Sequence, residues 1–152
     1  MHTLIKKQKL PISPEKAWEF FSSPLNLKDI TPVHMGFHII SELPEKMYPG
    51  MIIIYRVKPL LGIPVKWVTE ITHLKEKEFF VDNQLYGPYR TWHHQHIFKP
   101  VPGGVEMTDI VTYKIPLGFL GKLMNRILVK QQVEKIFNYR SRVLEEKFGK
   151  LS

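Results

Sequence analysis

The residue types best suited to chemistry lie in the segment 92–96, whose sequence is WHHQH. Because side chains alternate faces along a strand, this segment predicts that His94 and His96 share one face, about 6.5–7 Å apart along the chain. Two imidazoles at that spacing suit hydrogen bonding to a ligand, proton transfer or metal ligation. Asp109 and Asp82, in the neighbouring predicted strands, are the carboxylates that would orient them.

Three interpretations of these four polar residues stay open. Most buried polar groups only hydrogen-bond one another, so the residues could simply line a pocket. They could instead anchor a ligand and exchange protons with it, with His94, His96 and Asp109 as the catalytic candidates. A metal site is the third interpretation, but only two histidines align, whereas a catalytic zinc usually has three protein ligands. The sequence therefore predicts no metal and no other cofactor.

The motifs of several other chemistries are missing. The chain has no cysteine, which excludes disulfides, thiol catalysis and cysteine-based zinc sites. None of its serines lies in a G-x-S-x-G elbow, and no phosphate-binding loop, dinucleotide fingerprint or H-E-x-x-H motif occurs. Covalent hydrolase chemistry is therefore not expected.

The elements that must position these residues follow from composition and turn signals. The chain holds 15 isoleucines, 15 leucines and 11 valines but a single alanine, Ala17, which favours a sheet over a helical bundle. Ser13-Pro14 and Ser23-Pro24 each mark the start of a short helix. Residues 118–148 contain no proline and are predicted to be helical. Seven strands are predicted at 2–10, 34–43, 51–58, 64–74, 79–86, 89–99 and 104–114.

This order predicts an α+β fold in a single domain of residues 1–152. The short loops between consecutive strands imply antiparallel hairpins, which form a curved seven-stranded sheet with two short helices between strands 1 and 2. The long C-terminal helix covers one face of that sheet. A sheet that wraps around a helix leaves a hollow between the two layers, and the residues available here would make it an apolar pocket.

Several segments resemble the START/Bet v 1-like helix-grip superfamily, also called SRPBCC. They are SPEKAWEFFSSPLNLKDITP at 13–32, GPYRTWHHQHIF at 87–98, MTDIVTYKIPLG at 107–118 and IFNYRSRVL at 136–144. The chain looks most similar to small stand-alone ligand-binding members, in the polyketide cyclase/dehydrase and lipid-transport branch. The resemblance implies a helix-grip fold and a hydrophobic ligand, and it carries no shared catalytic residues over to this chain.

The favoured function is non-catalytic binding of a small hydrophobic or amphipathic molecule. A lipid, a fatty acid or a polycyclic, polyketide-like molecule would lie between the sheet and the C-terminal helix. The alternative is a cyclase or dehydratase in which His94 or His96 moves protons and Asp109 or Asp82 orients it. The residues predicted to contact the ligand are Phe20, Tyr55, Trp67, Phe80, Gln84, Trp92, His94, His96, Phe98, Met107, Leu120, Met124 and Ile127.

The C-terminal helix changes phase along its length. Its early apolar residues centre on one side and its later ones nearly opposite, which one straight helix with a single buried stripe would not show. A kink near Val129–Gln132 is one explanation, and different packing of the two halves is the other. We hypothesise that residues 117–130 gate the pocket, with Leu120, Met124 and Ile127 touching the ligand.

Basic charge is concentrated in the same region. The net charge is +8, from 22 basic and 14 acidic residues, and residues 114–130 contain no acidic residue. Lys122, Arg126 and Lys130 lie one helical turn apart, which predicts contact with an anionic membrane or an acidic partner rather than nucleic acid. A solvated helix face would give the same row. Because no run approaches the ~20 apolar residues that span a bilayer, the expected location is cytoplasmic.

Overall fold

Seven antiparallel strands form one sheet in the computed structural model, which describes residues 1–152. The strands lie in the order β1-β7-β6-β5-β4-β3-β2, so the first strand pairs with the last. This sheet, the short helices after its first strand and the long C-terminal helix confirm the predicted α+β fold. The strands are β1 His2–Leu10, β2 His38–Ile39, β3 Ile52–Val57, β4 Val65–Lys75, β5 Phe79–Tyr86, β6 Thr91–Val101 and β7 Gly104–Lys114.

The strand predicted at 34–43 is much shorter in the structure. Residues Val33–Met35 form a 3-10 turn, which Gly36 ends with a left-handed φ of 55°, so strand pairing begins only at His38. Beyond the strand, the amides of residues 40 and 41 both donate to the carbonyl of Ile54, which interrupts the ladder. β2 is therefore a two-residue edge strand.

The first predicted helix begins at its sequence signal. α1 spans Pro14–Phe21, and the hydroxyl of Ser13 accepts a hydrogen bond from the amide of Lys16 at 3.1 Å. Ala17 is completely buried in this helix, where a small side chain allows close packing on the sheet. The second predicted helix is a short 3-10 turn at Pro24–Lys28.

The C-terminal helix is continuous from Gly118 to Phe148 but has three parts. These are α2 (Gly118–Met124), a π turn (Asn125–Val129) and α3 (Lys130–Phe148). A π turn holds more residues than an α-helical turn, which rotates the buried stripe around the helix axis. The predicted change of phase therefore occurs within the π turn. The helix continues through residues 129–132, the segment in which a kink was considered.

α3 lies across the inner face of the sheet with one buried stripe. Lys6 of β1 donates a hydrogen bond to Asn138 at 2.9 Å. Two residues further along β1, Gln8 donates to the carbonyl of Ser141 at 2.7 Å. α3 therefore runs in the same direction as β1. None of the helices combines the length and the apolar character that crossing a membrane requires. The buried residues of the stripe are Val129, Val133, Phe137, Arg140 and Leu144.

The buried hydrophobic residues form three clusters rather than one continuous core. The largest lies between α1 and the sheet and includes Ala17, Phe80 and Phe98. A second cluster joins β7 to the C-terminal helix around Val111. The third surrounds Trp67, toward the β2 edge of the sheet. The separation of these clusters leaves space between the sheet and α3.

We expect Gly121→Ala to destabilise the protein, although alanine normally favours a helix over glycine by about 1 kcal/mol. A β-carbon at Gly121 would collide with the backbone carbonyl of Pro116, because α2 folds back tightly on the residues before it. Thermal or denaturant unfolding should therefore show a loss of roughly 1–3 kcal/mol, as for other overpacked sites. A variant as stable as the wild-type protein would contradict this packing.

Candidate functional site

A cavity of about 180 Å³ lies between the inner face of the sheet and α3. Eighteen of its 28 lining residues are hydrophobic, so its wall is mostly apolar. The ionisable side chains in the wall are concentrated where β5 and β6 face α3. They are Asp82, His94, His96 and Arg140, with two tyrosines elsewhere in the wall.

Asp82, His94, His96 and Asp109 form what we call the His–Asp cluster. β6 lies between β5 and β7, and its register places Asp82 opposite His94 and Asp109 opposite His96. The hydrogen bonds run diagonally instead. Nε2 of His94 donates to Oδ1 of Asp109 at 2.9 Å, and Nε2 of His96 donates to Oδ2 of Asp82 at 2.8 Å. Each imidazole is thus held by the carboxylate that lies opposite the other imidazole.

The two imidazoles lie close together at the centre of this cluster. Their ring centroids are 3.7 Å apart with a tilt of 34°, and His96 also stacks on Phe80 at 4.0 Å. Nδ1 of His96 lies 3.2 Å from Oδ1 of Asp109 without the alignment of a hydrogen bond. Nδ1 of His94 lies 3.8 Å from Oδ2 of Asp82. Both rings therefore lie between both carboxylates.

Arg140 reaches the His–Asp cluster from α3. Its Nη1 lies 3.6 Å from Oδ1 of Asp109, which is too long for a hydrogen bond, and its Nε is buried without a hydrogen-bond partner. The rings of Phe21 and Phe137 lie 5.4 Å and 5.8 Å from its guanidinium carbon. The residue is 7% exposed. A buried guanidinium with so few partners lies in the wall of the cavity.

The two buried histidines respond to this environment in opposite directions. Burial lowers the pKa of His94, and the nearby charge of His96 lowers it further. Burial also disfavours the charged form of His96, but the carboxylates of Asp109 and Asp82 outweigh it and raise the pKa of His96. Between these two pKa values, one imidazole is protonated and the other is neutral.

The two aspartates stay ionised for a related reason. Burial alone would raise the pKa of Asp109, but the charge of Arg140, the hydrogen bond from His94 and the nearby imidazole of His96 hold it well below its usual range. Burial is likewise outweighed at Asp82, whose pKa is lowered by the hydrogen bond from His96 and the charge of His94. Two carboxylates, one imidazolium and one guanidinium then give the buried group a net charge of zero.

Aromatic side chains form another part of the cavity wall. Trp67 stacks on Tyr55 with ring centroids 5.8 Å apart and meets Trp92 edge-on at 5.3 Å. Tyr89 packs on Trp92 at 4.7 Å. Gln84 holds this tyrosine in place, because its side-chain amide donates to the Tyr89 carbonyl at 2.6 Å and accepts from the Tyr89 amide at 3.2 Å. The cavity therefore offers flat apolar surfaces as well as a charged region.

The structure places the predicted ligand contacts in several environments. Phe98 and Met107 are buried in the core under α1, and Gln84 holds the β5–β6 turn. Leu120 and Ile127 are 54% and 55% exposed, because the π turn rotates their stripe away from α3's buried side. Met124 also lies outside the cavity wall. Ligand contact by Leu120, Met124 and Ile127 stays a prediction, and so does gating of the pocket by residues 117–130. The predicted residues that line the cavity are Phe20, Tyr55, Trp67, Phe80, Trp92, His94 and His96.

Several polar residues of the wall, with Arg140 and Thr69 among them, were not predicted from the sequence. Arg140 could have been found, because it interrupts the apolar stripe between Phe137 and Leu144. Thr69, whose hydroxyl donates to the Asn83 carbonyl at 3.0 Å, carries no comparable signal. Asp109, a predicted catalytic candidate, lies outside the cavity wall and accepts a hydrogen bond from His94.

Asp82, His94 and His96 also have donor atoms within 4.8 Å of one another, close enough to share a metal ion. Two features oppose a cation there. The carboxylate of Asp82 already accepts a hydrogen bond from His96, and the guanidinium of Arg140 adds positive charge beside Asp109. We therefore interpret these atoms as a hydrogen-bonded cluster, and the absence of a metal stays a prediction.

Solved structures of other proteins share this architecture along nearly the whole chain. Protein CV1439 from Chromobacterium violaceum is 14% identical, with a TM-score of 0.73 over 98% of this chain and 99% of its own. Protein TTHA0849 from Thermus thermophilus is 15% identical, with a TM-score of 0.69 over 96% of each chain. Ara h 8.0201 is 16% identical, with a TM-score of 0.58 over 95% of this chain and 98% of its own. No protein-family model and no curated protein sequence matches the chain.

At these identities the similarities concern the fold alone. The seven-stranded antiparallel sheet and the C-terminal helix fit a helix-grip fold, and the chain resembles Bet v 1-like proteins such as Ara h 8.0201 in its architecture. The similarities do not name a family for this chain. The function must therefore be inferred from the cavity itself.

Titration followed by nuclear magnetic resonance should give His96 a midpoint above the ordinary histidine pKa of about 6.5 and His94 a midpoint below it. Asp82→Asn removes a carboxylate that stabilises charge on His96, so the midpoint of His96 should fall. Glu106→Gln is the control. Glu106 lies on the outer face of β7, where it pairs with Lys7 and not with the His–Asp cluster. Coincident midpoints, or an unchanged His96 in Asp82→Asn, would contradict the assignment.

The same shifts give the sign of the pH dependence of stability. Because its pKa is raised, protonated His96 stabilises the folded state below about pH 6.5, and this contribution is lost as pH rises through the raised value. The lowered pKa of Asp109 gives a contribution that is present above about pH 4 and lost as pH falls through the lower folded value. The lowered pKa of His94 has the opposite effect on stability. Protonation of His94 is less favourable in the folded state than in the unfolded state, so this residue destabilises the folded protein as pH falls below about 6.5.

Proposed function

We propose that this protein binds a compact amphipathic ligand in the cavity, with a ring against the aromatic wall and an oxygen acceptor at Arg140. The observation that carries the proposal is the buried Arg140 guanidinium, which lines an apolar cavity while its Nε has no partner. Buried donors without partners are costly, and a ligand oxygen would remove that cost. A carboxylate fits best, because its two oxygens match the guanidinium fork.

The size of the cavity supports a small ligand. An apolar cavity of about 150 Å³ binds benzene, whereas drug-sized ligands occupy about 300–1,000 Å³. At about 180 Å³ the cavity suits a single substituted ring. Among the ligand classes considered from the sequence, a compact ring compound therefore fits better than a fatty acid or an extended polycycle, which would require the cavity to widen.

The charge balance is compatible with an anionic ligand. A carboxylate adds one negative charge to a buried group whose charges otherwise cancel. His94, whose pKa burial lowers, lies beside Asp82 and Asp109, so it is the group that would take up a compensating proton. Burial of the ring on Trp67 and Trp92 supplies the apolar part of the binding energy.

We expect benzoate to bind more tightly than toluene, which has the same ring without the oxygens. Calorimetry with both compounds would measure this, supported by the fluorescence of Trp67 and Trp92. Arg140→Met should weaken benzoate binding roughly tenfold to a hundredfold, the effect of losing a hydrogen bond to a charged group. The same change should leave toluene binding nearly unaltered.

Arg142→Met is the matched control, because Arg142 lies on α3 two residues after Arg140 and is exposed. Arg140→Lys tests the fork separately, since it keeps the positive charge but loses the paired donors. Circular dichroism and the unfolding temperature confirm that each variant is folded. The proposal is wrong if neither compound binds, or if Arg140→Met leaves benzoate affinity unchanged.

A second candidate function is acid–base catalysis, and one observation favours it. Two His–carboxylate pairs lie at the cavity, and the pKa values of their imidazoles shift in opposite directions. This is the arrangement of a general base beside a general acid. In a dehydration, neutral His94 would remove a proton from the carbon next to a carbonyl, and protonated His96 would protonate the departing hydroxyl. A carbon–carbon double bond forms, water leaves, and proton transfer from His94 to His96 restores the starting state.

This candidate predicts turnover of 4-hydroxy-4-phenylbutan-2-one, a compact β-hydroxyketone whose dehydration gives a conjugated ketone with stronger ultraviolet absorbance. His94→Gln together with His96→Gln should abolish the absorbance change. His93→Gln is the control, because His93 lies on the other face of β6 and bonds to Asn83. Activity that survives in the double variant, or no turnover by the wild-type protein, rules out this reaction.

A further inference from the structure

Three connections of the chain meet at one end of the sheet. Val57 pairs with Val65 and Thr91 pairs with Lys114. The β3–β4 loop, the β5–β6 loop and the β7–α2 connection therefore all lie at the same end of the strands. One residue of each connection packs on a single buried cluster of β7 and the C-terminal helix. These residues are Leu60, Tyr89 and Ile115.

Large apolar side chains are exposed on these connections and on the helix that follows them. Phe119 is 84% exposed and Leu61 is 73% exposed. Large apolar side chains exposed together are typical of an interaction surface. We call it the apolar end, and it comprises Met1, Leu61, Ile63, Leu85, Tyr86, Leu117, Phe119, Leu120, Leu123, Ile127 and Leu128.

Basic residues surround the apolar end, and acidic residues are missing from it. The segments 58–66, 85–91 and 114–130 contain no aspartate or glutamate. All their basic residues are exposed, and none of them forms an ion pair within the protein. These residues are Lys58, Lys66, Arg90, Lys114, Lys122, Arg126 and Lys130.

The opposite end of the sheet has a different character. At the β4–β5 turn there, Lys75 pairs with Glu78 at 2.7 Å, and Lys77 pairs with Glu15 at 3.6 Å. Its charges are of both signs and neutralise each other. The unpaired positive charge therefore lies at the same end as eleven of the seventeen exposed large hydrophobic residues.

We propose that the apolar end docks on an anionic lipid bilayer. Phe119, Leu120 and Leu123 would enter the boundary between headgroups and acyl chains, while Lys122 and Arg126 contact anionic headgroups. A second copy of this chain is a poorer occupant, because a symmetric contact would bring two sets of unpaired basic residues together. Nucleic acid would leave the exposed leucines and Phe119 in water. This inference does not depend on which ligand the cavity binds.

The test is flotation of the purified protein with vesicles at 0.1 M salt. Vesicles of phosphatidylcholine with 30% phosphatidylserine should bind at least tenfold more protein than phosphatidylcholine alone, and higher salt should weaken the binding. Phe119→Ser with Leu120→Ser, and separately Lys122→Glu with Arg126→Glu, should each reduce binding at least fivefold. The unfolding temperature shows whether each variant keeps its fold.

Two control variants match these changes in chemistry but not in place. Ile5→Ser removes an apolar side chain that is 58% exposed on the outer face of β1. Lys9→Glu with Lys150→Glu reverses two charges toward the opposite end of the sheet. Both controls should bind anionic vesicles as well as the wild-type protein does. This result would show that vesicle binding depends on residues of the apolar end and not on the total charge or hydrophobicity of the protein.

Several outcomes would overturn the proposal. Equal binding to both kinds of vesicle, or binding unaffected by either double variant, excludes docking through this end. Binding to soluble polyglutamate without binding to vesicles would assign the surface to an acidic protein partner. Sedimentation showing a dimer that Phe119→Ser dissociates would assign it to a second copy of the chain.

Discussion

Charge balance at the centre of the sheet is the constraint on which the rest of this structure depends. An isolated buried charge is expensive, and removing one member of a buried ion pair typically costs about 3–5 kcal/mol. Here two carboxylates on different strands raise the pKa of His96 on the strand between them, and Arg140 brings a second positive charge from the helix. The compensation requires sheet and helix together, because neither element contains all the charges.

This requirement also explains why a cavity persists. Aliphatic side chains packed against Arg140 could not supply the partner that its buried Nε lacks. The aromatic residues around Trp67 form another part of the same wall. The cavity therefore has a charged region and flat apolar surfaces, which is the polarity of a ligand with a ring and an oxygen group.

Much of this arrangement was predictable from local sequence pattern. Alternation along a strand correctly placed His94 and His96 on one face, and the neighbouring strands correctly supplied Asp82 and Asp109 as their partners. The diagonal choice of partner was not predictable, because it depends on side-chain torsions and on the exact register of three strands. The short β2 and the π turn depended in the same way on contacts between distant segments. Composition predicted the sheet, but it could not show which end of that sheet carries the exposed leucines.

The diagonal hydrogen bonds have a consequence for how reliably the sheet assembles. Strands rich in isoleucine and valine can pair in more than one register, and a slip by one residue turns every side chain to the other face. A slip of β6 by one residue would send both imidazoles to the outside and leave Asp82 and Asp109 buried without them. A slip by two would place an aromatic residue, Phe98 or Trp92, opposite one of the two carboxylates. The four polar residues thus act as a check on strand alignment during folding, whatever molecule the finished cavity holds.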